Sequence, residues 1–368
     1  MMPKKASAFL YLTCPFLLLA GNIGDRRSAG SLLRAECSGS TRHLAATPGL
    51  HDFDFLMGEW RVHHRRIQSD TQQWVEFDGT ASHRDLGDGW ANIDEYQLNA
   101  PRGVYRALAL RAYDTHSSEW SIRWLDGRYP SGPLGPPVKG RFQNGVGTFY
   151  NDYISDGKPM RVRFIWSDIT PVSARWEQAI SADSGMTWET NWIMTFQHVA
   201  SDTTSRSPSA PTASHSGDFD FLLGDWRVRH RYLRVTPGGN AWAEAKGTCR
   251  HQNVMQGLAN IDEFVIAAAT ESHAAIALRS YDTAANRWSI WWIDGRNPST
   301  GLDPPVRGRF ENGVGTFFGD QEASGRRARV RFVWSRITTT SARWEQAYSF
   351  DEGQSWETNW IMEFQRVR

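Results

Sequence analysis

Apolar and polar side chains alternate with a period of two through most of the chain. One clear example is the face formed by Trp188, Thr190, Trp192, Met194 and Phe196. Because successive side chains of an extended strand point to opposite faces, this alternation predicts β-strands. Pairs such as Asp-Gly and Asn-Gly separate the runs at short intervals, and such pairs are typical of tight hairpins.

The fold class is therefore all-β. We count about nine or ten strands in each half of the chain and no segment with the period of a long helix. Many short strands joined by tight turns favour a sandwich or a meandering barrel, and closure into a barrel removes exposed strand edges. The pattern thus predicts two tandem antiparallel meander β-barrels.

The sequence contains the same unit twice. The segment FDFLMGEWRV at Phe53 recurs as FDFLLGDWRV at Phe219, and RWEQA occurs at both Arg175 and Arg343. The Ser/Thr/Pro-rich stretch between the copies has the composition of a flexible linker. The predicted organisation is a signal-like segment and disordered leader over 1–50, a first barrel over 51–199, a linker over 200–217 and a second barrel over 218–368. Since each copy has a full set of strands, we expect each to fold separately.

The last hairpin of each copy allows a prediction of strand register. If Trp176 lies opposite Trp192, then Ile180 meets Trp188 and Glu177 meets Asn191, so that apolar residues face apolar ones. A slip of one residue would mix the two faces.

Two motifs carry a resemblance to known proteins. The segment Leu56-Met57-Gly58-Glu59-Trp60 resembles the Gly-x-Trp start of calycins, the lipocalins and their relatives. Each whole copy, from FDFL-x-G-x-W-x-V to RWEQA and WETNW-x-M, resembles a family of bacterial proteins of unknown function, here duplicated in tandem. The resemblance implies a lipocalin-like barrel in each copy, with the tryptophan closing one end. It implies no activity.

The composition and the N-terminal segment limit the classes of partner and the cellular compartment that we expect. The formal net charge is +1, without the basic surplus that a dedicated nucleic-acid binder needs. Three cysteines make no disulfide framework. Residues 1–20 combine an early lysine pair with a short apolar run, as secretory signal peptides do. We therefore expect a secreted or periplasmic protein with no membrane insertion after signal removal. The alternatives are an organelle transit peptide, or a cytoplasmic protein whose start is misassigned.

Candidate ligand-binding residues fall into two groups. The first is the polar face of the last hairpin, which either lines the barrel or is its solvated outer surface; its members are Arg175, Glu177 and Asn191, repeated as Arg343, Glu345 and Asn359. The second group comprises residues expected at the rim of a ligand opening, together with two arginines suited to bind a carboxylate. These residues are Trp124, Arg128 and Arg111, repeated as Trp292, Arg296 and Arg279. Alternatively, the arginines form turn or cross-strand salt bridges.

Histidines recur at matching positions, but no spacing enforces a metal site. His64 matches His230, and His83 matches His251. An inward pair with Asp94 or Glu95 would suit a metal or haem iron, whereas the alternative is a structural or surface role. Asp94 and Glu95 are adjacent on a strand and should point to opposite faces. We therefore expect no metal and no cofactor.

No hydrolase elbow, phosphate loop or dinucleotide fingerprint occurs in the sequence. The predicted function is binding of a small aromatic or amphipathic molecule within the barrels. One alternative is an enzyme of isomerase, cyclase or hydratase type that uses Glu177 or Glu345 as an acid/base. The other is a structural or interaction module with filled barrels.

Overall fold

The structure is a computed structural model that describes residues 47–68, 70–199, 217–236, 239–268, 272–302, 304–323 and 325–367. Residues 1–46 of the predicted leader and residues 200–216 of the predicted linker lie outside the described residues. The described part of the chain contains no α-helix, and no helix there has the length and apolar character needed to cross a membrane.

Ten strands of the first copy form a closed antiparallel barrel in chain order, with β1 paired to β10. A short 3₁₀ turn, Asp54–Leu56, precedes β1. The strands are β1 Gly58–Ile67, β2 Trp74–Leu86, β3 Ala91–Ala100, β4 Gly103–Asp114, β5 Glu119–Asp126, β6 Val138–Gln143, β7 Val146–Ser155, β8 Lys158–Ser167, β9 Ser173–Ser181 and β10 Glu189–His198.

The second copy forms a second closed barrel of the same order. Its strands are β11 Gly224–Thr236, β12 Gly239–Val254, β13 Ala259–Ala268, β14 Ser272–Asp282, β15 Arg287–Asp294, β16 Val306–Glu311, β17 Val314–Ala323, β18 Arg326–Ser335, β19 Ser341–Ser349 and β20 Glu357–Arg366. The prediction of two tandem antiparallel meander barrels, and the upper end of the strand count, are confirmed.

The two ends of each barrel differ. In the first barrel the 3₁₀ turn and the loops after β2, β4, β6 and β8 form the closed end, where Phe53 packs edge-on against Trp120 and Phe142 at ring-centroid distances of 5.1 and 5.0 Å. Trp60 is 1% exposed, and its indole N–H donates to the Leu56 carbonyl at 2.6 Å. The opposite end, the open end, is formed by the loops after β1, β3, β5, β7 and β9.

A third apolar core joins the two barrels. Strands β3 to β5 bury both faces: their inner residues fill the first barrel, and their outer residues pack against the outer faces of β13 to β15. Leu108 and Leu110 of the first copy and Ile276 and Leu278 of the second are 0% exposed in this core. A surface this apolar would be exposed if either copy stood alone.

Matched hydrogen bonds give this joint approximate twofold symmetry. The Glu95 carboxylate accepts the Met255 backbone N–H at 2.6 Å, and Glu263, at the position of Glu95, accepts the Gly87 N–H at 2.8 Å. Asp94, by contrast, points into the barrel, so the prediction that adjacent Asp94 and Glu95 face opposite ways is confirmed.

The predicted register of the last hairpin is wrong by two residues. Trp176 lies opposite Met194, and Trp192 lies opposite Gln178, with an irregularity between Thr190 and Trp192. The connecting loop is also longer than the three residues expected. An extra residue in one strand shifts the pairing and reverses the alternation of faces beyond it. The separation of an inner apolar face from an outer polar face holds from Trp192 to Phe196. Trp188, predicted on the same inner face, lies instead in the loop against Tyr150 and Arg163.

Candidate functional site

The closed end contains a buried polar network in addition to its aromatic core. Asp94 contacts His83 Nδ1 and the Arg111 guanidinium, and it accepts a hydrogen bond from the Tyr96 hydroxyl at 2.7 Å. Arg111 also donates to Asn92 at 3.0 Å. Both side chains of the Asp94–Arg111 pair are 2% exposed. Arg111 thus forms the cross-strand salt bridge that the sequence left as one of two alternatives.

Positive charges in this network outweigh the effect of burial on the pKa of its central aspartate. Burial alone raises the pKa of Asp94, but the Arg111 and His83 charges beside it hold that pKa below its ordinary value. The second barrel repeats the arrangement with Asp262, His251 and Arg279, where the same causes lower the pKa of Asp262 to about 2. The network joins β2, β3 and β4 at the closed end, away from the open half.

The inner wall of the open half is aromatic and partly exposed. Trp124 packs edge-on against Trp192 at 5.7 Å, and Trp192 packs edge-on against Trp176 at 5.5 Å. Six inward-facing side chains here are only partly buried, although Trp176 and Trp192 themselves are 6% exposed. The six are Arg66, Val75, Trp124, Val162, Phe164 and Gln178.

His64 lies at the floor of this open half. Its ring stacks on Phe77 at 4.7 Å and is 0% exposed. The Trp192 indole N–H donates to its Nδ1 at 3.3 Å, so the neutral ring carries its proton on Nε2. Burial, with smaller effects of nearby positive groups, lowers the pKa of His64 to about 3. The Nε2–H donor has no hydrogen-bond partner.

A glycine makes room for this imidazole. A Cβ atom at Gly79 would lie 3.1 Å from His64 Nε2 and 2.4 Å from the Gln97 carbonyl oxygen of the neighbouring strand. Gly247 has the same relation to His230 in the second barrel, at 3.0 Å from Nε2. His230 is 0% exposed, neither of its ring nitrogens has a hydrogen-bond partner, and burial lowers its pKa to about 4.

The open end brings together three of the predicted ligand-binding residues. Trp124 lies on the inner wall, and Arg128 lies in the adjoining loop, paired with Asp126 and 3.8 Å over the Tyr105 ring. Asn191, next to the register shift, accepts a hydrogen bond from Gln178 at 2.9 Å. The equivalents in the second barrel are Trp292, Arg296 and Asn359.

The remaining predicted residues lie elsewhere. Arg175 and Glu177 pair with each other on the outer face of β9, with side chains 34% and 27% exposed, while Trp176 between them points inward. Arg343 and Glu345 repeat this pair on β19. A molecule inside either barrel would not contact these four side chains.

The structure also separates the candidate metal-binding histidines. His64 lies at mid-barrel, whereas His83 lies at the closed end with its Nδ1 engaged by Asp94; His230 and His251 repeat this separation. Within the described ranges, no group of three or more His, Cys, Asp or Glu side chains is placed to hold a metal ion.

Arg66, which is not among the residues predicted from the sequence, faces inward at the open end. Its guanidinium lies 4.2 Å over the Trp192 ring, and it donates to the Tyr105 hydroxyl at 3.3 Å. The signal was present, because Arg66 continues the period-two face that runs from Trp60 to His64.

The described structure defines a protein of two tandem, closed ten-stranded antiparallel barrels. No protein-family model matches the chain, and no curated protein matches it. Among solved structures, it is similar to a protein of unknown function from the DUF3598 family of Nostoc punctiforme, with 12% identity and a TM-score of 0.26 over 87% of this chain and 99% of that one. It is also similar to transferrin-binding protein B of Haemophilus parasuis, with 8% identity and a TM-score of 0.20 over 84% and 76%. Likenesses this weak carry no argument about the activity of this chain.

Proposed function

We propose that each barrel binds a small aromatic or amphipathic molecule in its open half. The observation that carries this proposal is the buried imidazole at the floor of each open half, His64 or His230, which has a ring nitrogen without a hydrogen-bond partner. A buried polar group left unpaired costs about 1–3 kcal/mol. A bound molecule with a matching polar atom would remove this cost.

The surroundings indicate the chemistry of the molecule. Indole rings line the wall above His64, which favours a flat apolar or aromatic body. The Nε2–H of His64 is a donor, so the molecule should offer a carbonyl, hydroxyl or carboxylate oxygen. A mostly apolar wall with a few convergent polar groups is typical of small-molecule sites. The alternative of a Glu177 or Glu345 acid/base is not favoured, because both carboxylates lie outside the barrels.

The test is a fluorescence titration of the whole protein with prodan, a neutral naphthyl ketone dye whose emission shifts in apolar surroundings. The variants are His64→Phe and His230→Phe, which keep a flat ring and remove the ring nitrogens. His63→Phe is the matched control, since His63 is the adjacent residue on the outer face and pairs with Asp78 at 2.8 Å.

Two prodan sites are expected in the wild type. Each barrel variant should weaken one site by about threefold to tenfold, the value of one hydrogen bond, and His63→Phe should weaken neither. Absence of saturable binding, or equal binding by all four proteins, would refute the proposal.

Export also remains a proposal, supported by the signal-like composition of residues 1–20. Fractionation of the source cells tests it. Recovery of the full-length chain, residue 1 included, from the cytoplasm would refute it.

A further inference from the structure

The two barrels share their floor and differ at their open ends. His64, Trp124, Trp176 and Trp192 have identical equivalents in the second copy. Inward-facing residues beside the floor histidine and closer to the opening differ. The changes, first barrel to second, are Arg66 to Tyr232, Phe77 to Ala245, Tyr105 to His273, Tyr153 to Gln321 and Ile180 to Tyr348. The same scaffold therefore presents two different sets of side chains to an incoming molecule.

Arg66 gives the first barrel a positive charge on its inner wall. The guanidinium stacks over Trp192 and gives one hydrogen bond to the neutral Tyr105 hydroxyl. Among the residues that the structure describes, no carboxylate lies within ion-pair distance of Arg66. The adjacent Arg65 is different, because it faces outward and its Nε lies 2.8 Å from a Glu76 carboxylate oxygen.

The position of Arg66 suits an anionic group. It follows His64 by two residues on the same strand face and lies closer to the opening, so its guanidinium lies on the wall above the floor imidazole. A guanidinium has five N–H donors arranged in a fork that matches a carboxylate or sulfonate. Only one of these donors is used by Tyr105.

The second barrel lacks this charge and has neutral polar groups instead. Tyr232 stands in place of Arg66, and Tyr348 stands in place of Ile180. Gln346 donates to the Tyr348 hydroxyl and to the Asn359 amide oxygen, both at 3.2 Å. The exchange of Phe77 for Ala245 also removes the ring that stacks on the floor histidine of the first barrel.

We infer that the two barrels bind different classes of molecule. The first binds an amphipathic organic anion, whose carboxylate or sulfonate contacts Arg66 while its apolar body lies against the tryptophans. The second binds an uncharged molecule. This inference rests on the proposed function and adds the ligand class of each site.

The experiment compares naphthoate with naphthamide, its uncharged isostere, by calorimetric titration of the whole protein. The proteins are the wild type, Arg66→Gln and the control Arg65→Gln, which removes the same charge from the outer face. A fourth protein, Tyr232→Arg, places a guanidinium in the second barrel. Prodan binding is measured on all four proteins.

Naphthoate should bind the wild type at one site, in the first barrel. Naphthamide, which is neutral like prodan, should bind both barrels, and it should bind the first barrel more weakly than naphthoate does. Arg66→Gln should weaken naphthoate at least about tenfold, as expected for loss of a hydrogen bond to a charged group, while Arg65→Gln should not. Tyr232→Arg should add a second naphthoate site. If prodan binds normally but neither Arg66→Gln nor Tyr232→Arg changes the binding of naphthoate, the ligand classes are wrong and the proposed function stands. If none of the three molecules binds, both are wrong.

Discussion

The buried ion pair of the closed end predicts a large and specific loss of stability on one isosteric change. Asp94→Asn keeps the size of the side chain and one acceptor oxygen but removes the negative charge beside Arg111. Both side chains are 2% exposed, so the guanidinium would be left without a counter-charge in a water-poor environment. Breaking such a pair from one side costs about 3–5 kcal/mol. Because the amide oxygen still accepts one hydrogen bond, we expect the lower end, about 3 kcal/mol.

The assay is urea unfolding followed by tryptophan fluorescence, which reports the free energy of unfolding. Asp262→Asn is the replicate in the second barrel. Asp78→Asn is the matched control, since this carboxylate is 82% exposed and contacts His63 at the surface; exposed pairs contribute little. If the free energies of unfolding of Asp94→Asn and Asp262→Asn both lie within about 1 kcal/mol of the wild-type value, the description of the network as a buried charged pair is wrong.

Three further predictions follow from the packing and the titrating groups. Trp60→Ala should cost about 3–5 kcal/mol by loss of buried aromatic volume, whereas Trp74→Ala, at a side chain 40% exposed, should cost far less in the same assay; equal effects would contradict the closed-end packing. His64 and His230 have folded pKa values of about 3 and about 4, below the unfolded value of about 6.5, so the unfolded chain binds protons first. The free energy of unfolding should therefore fall as the pH drops below about 6.5, by about 2–3 kcal/mol per histidine at pH 4.5. Thermal melts of His64→Phe should show a smaller fall over the same pH range. If the variant and the wild type have the same pH profile, the explanation by buried neutral histidines is wrong. The first repeat alone, residues 51–199, should form a twofold dimer through its exposed β3–β5 face, measured by light scattering after size exclusion; a stable monomer would contradict the importance of this face.

The strand content and the duplication could be predicted from the sequence because both have local signals. Period-two alternation and Asn-Gly or Asp-Gly turns give the strands, and repeated motifs give the two copies. The register of the last hairpin could not be predicted, because no local signal in the sequence marks the irregularity beside Asn191, where an extra residue shifts the pairing.

The sequence does contain a signal for the joint between the barrels, although alternation with a period of two does not detect it. The run Ala107-Leu108-Ala109-Leu110 in β4 has no polar member, and continuous apolar runs are typical of strands buried on both faces. Alternation alone assigns one side of such a strand to solvent. The expectation of separate folding rests on that assignment and stays a prediction, and the shared core adds that an isolated copy would expose an apolar face.

The candidate site was predicted less fully than the fold. Sequence alone gave Trp124, Arg128 and Asn191 as candidates at what is now the open end, but it had no means to separate an inward charge from an outward one. Arg66 and Arg65 are adjacent and chemically identical, and only the closure of the barrel places one inside and the other outside. Arg175 and Glu177 illustrate the converse, because their neighbour Trp176 occupies the inner face.

The most direct test of the central claim is a nuclear magnetic resonance titration of ¹⁵N-histidine-labelled protein with prodan. The ring signals of His64 and His230 should move with saturation, because a molecule in each open half would contact the floor imidazole. The ring signals of His83 and His251, held in the closed-end networks, should stay in place and serve as internal controls. Saturable prodan fluorescence with unmoved His64 and His230 signals would place the dye elsewhere and contradict the account.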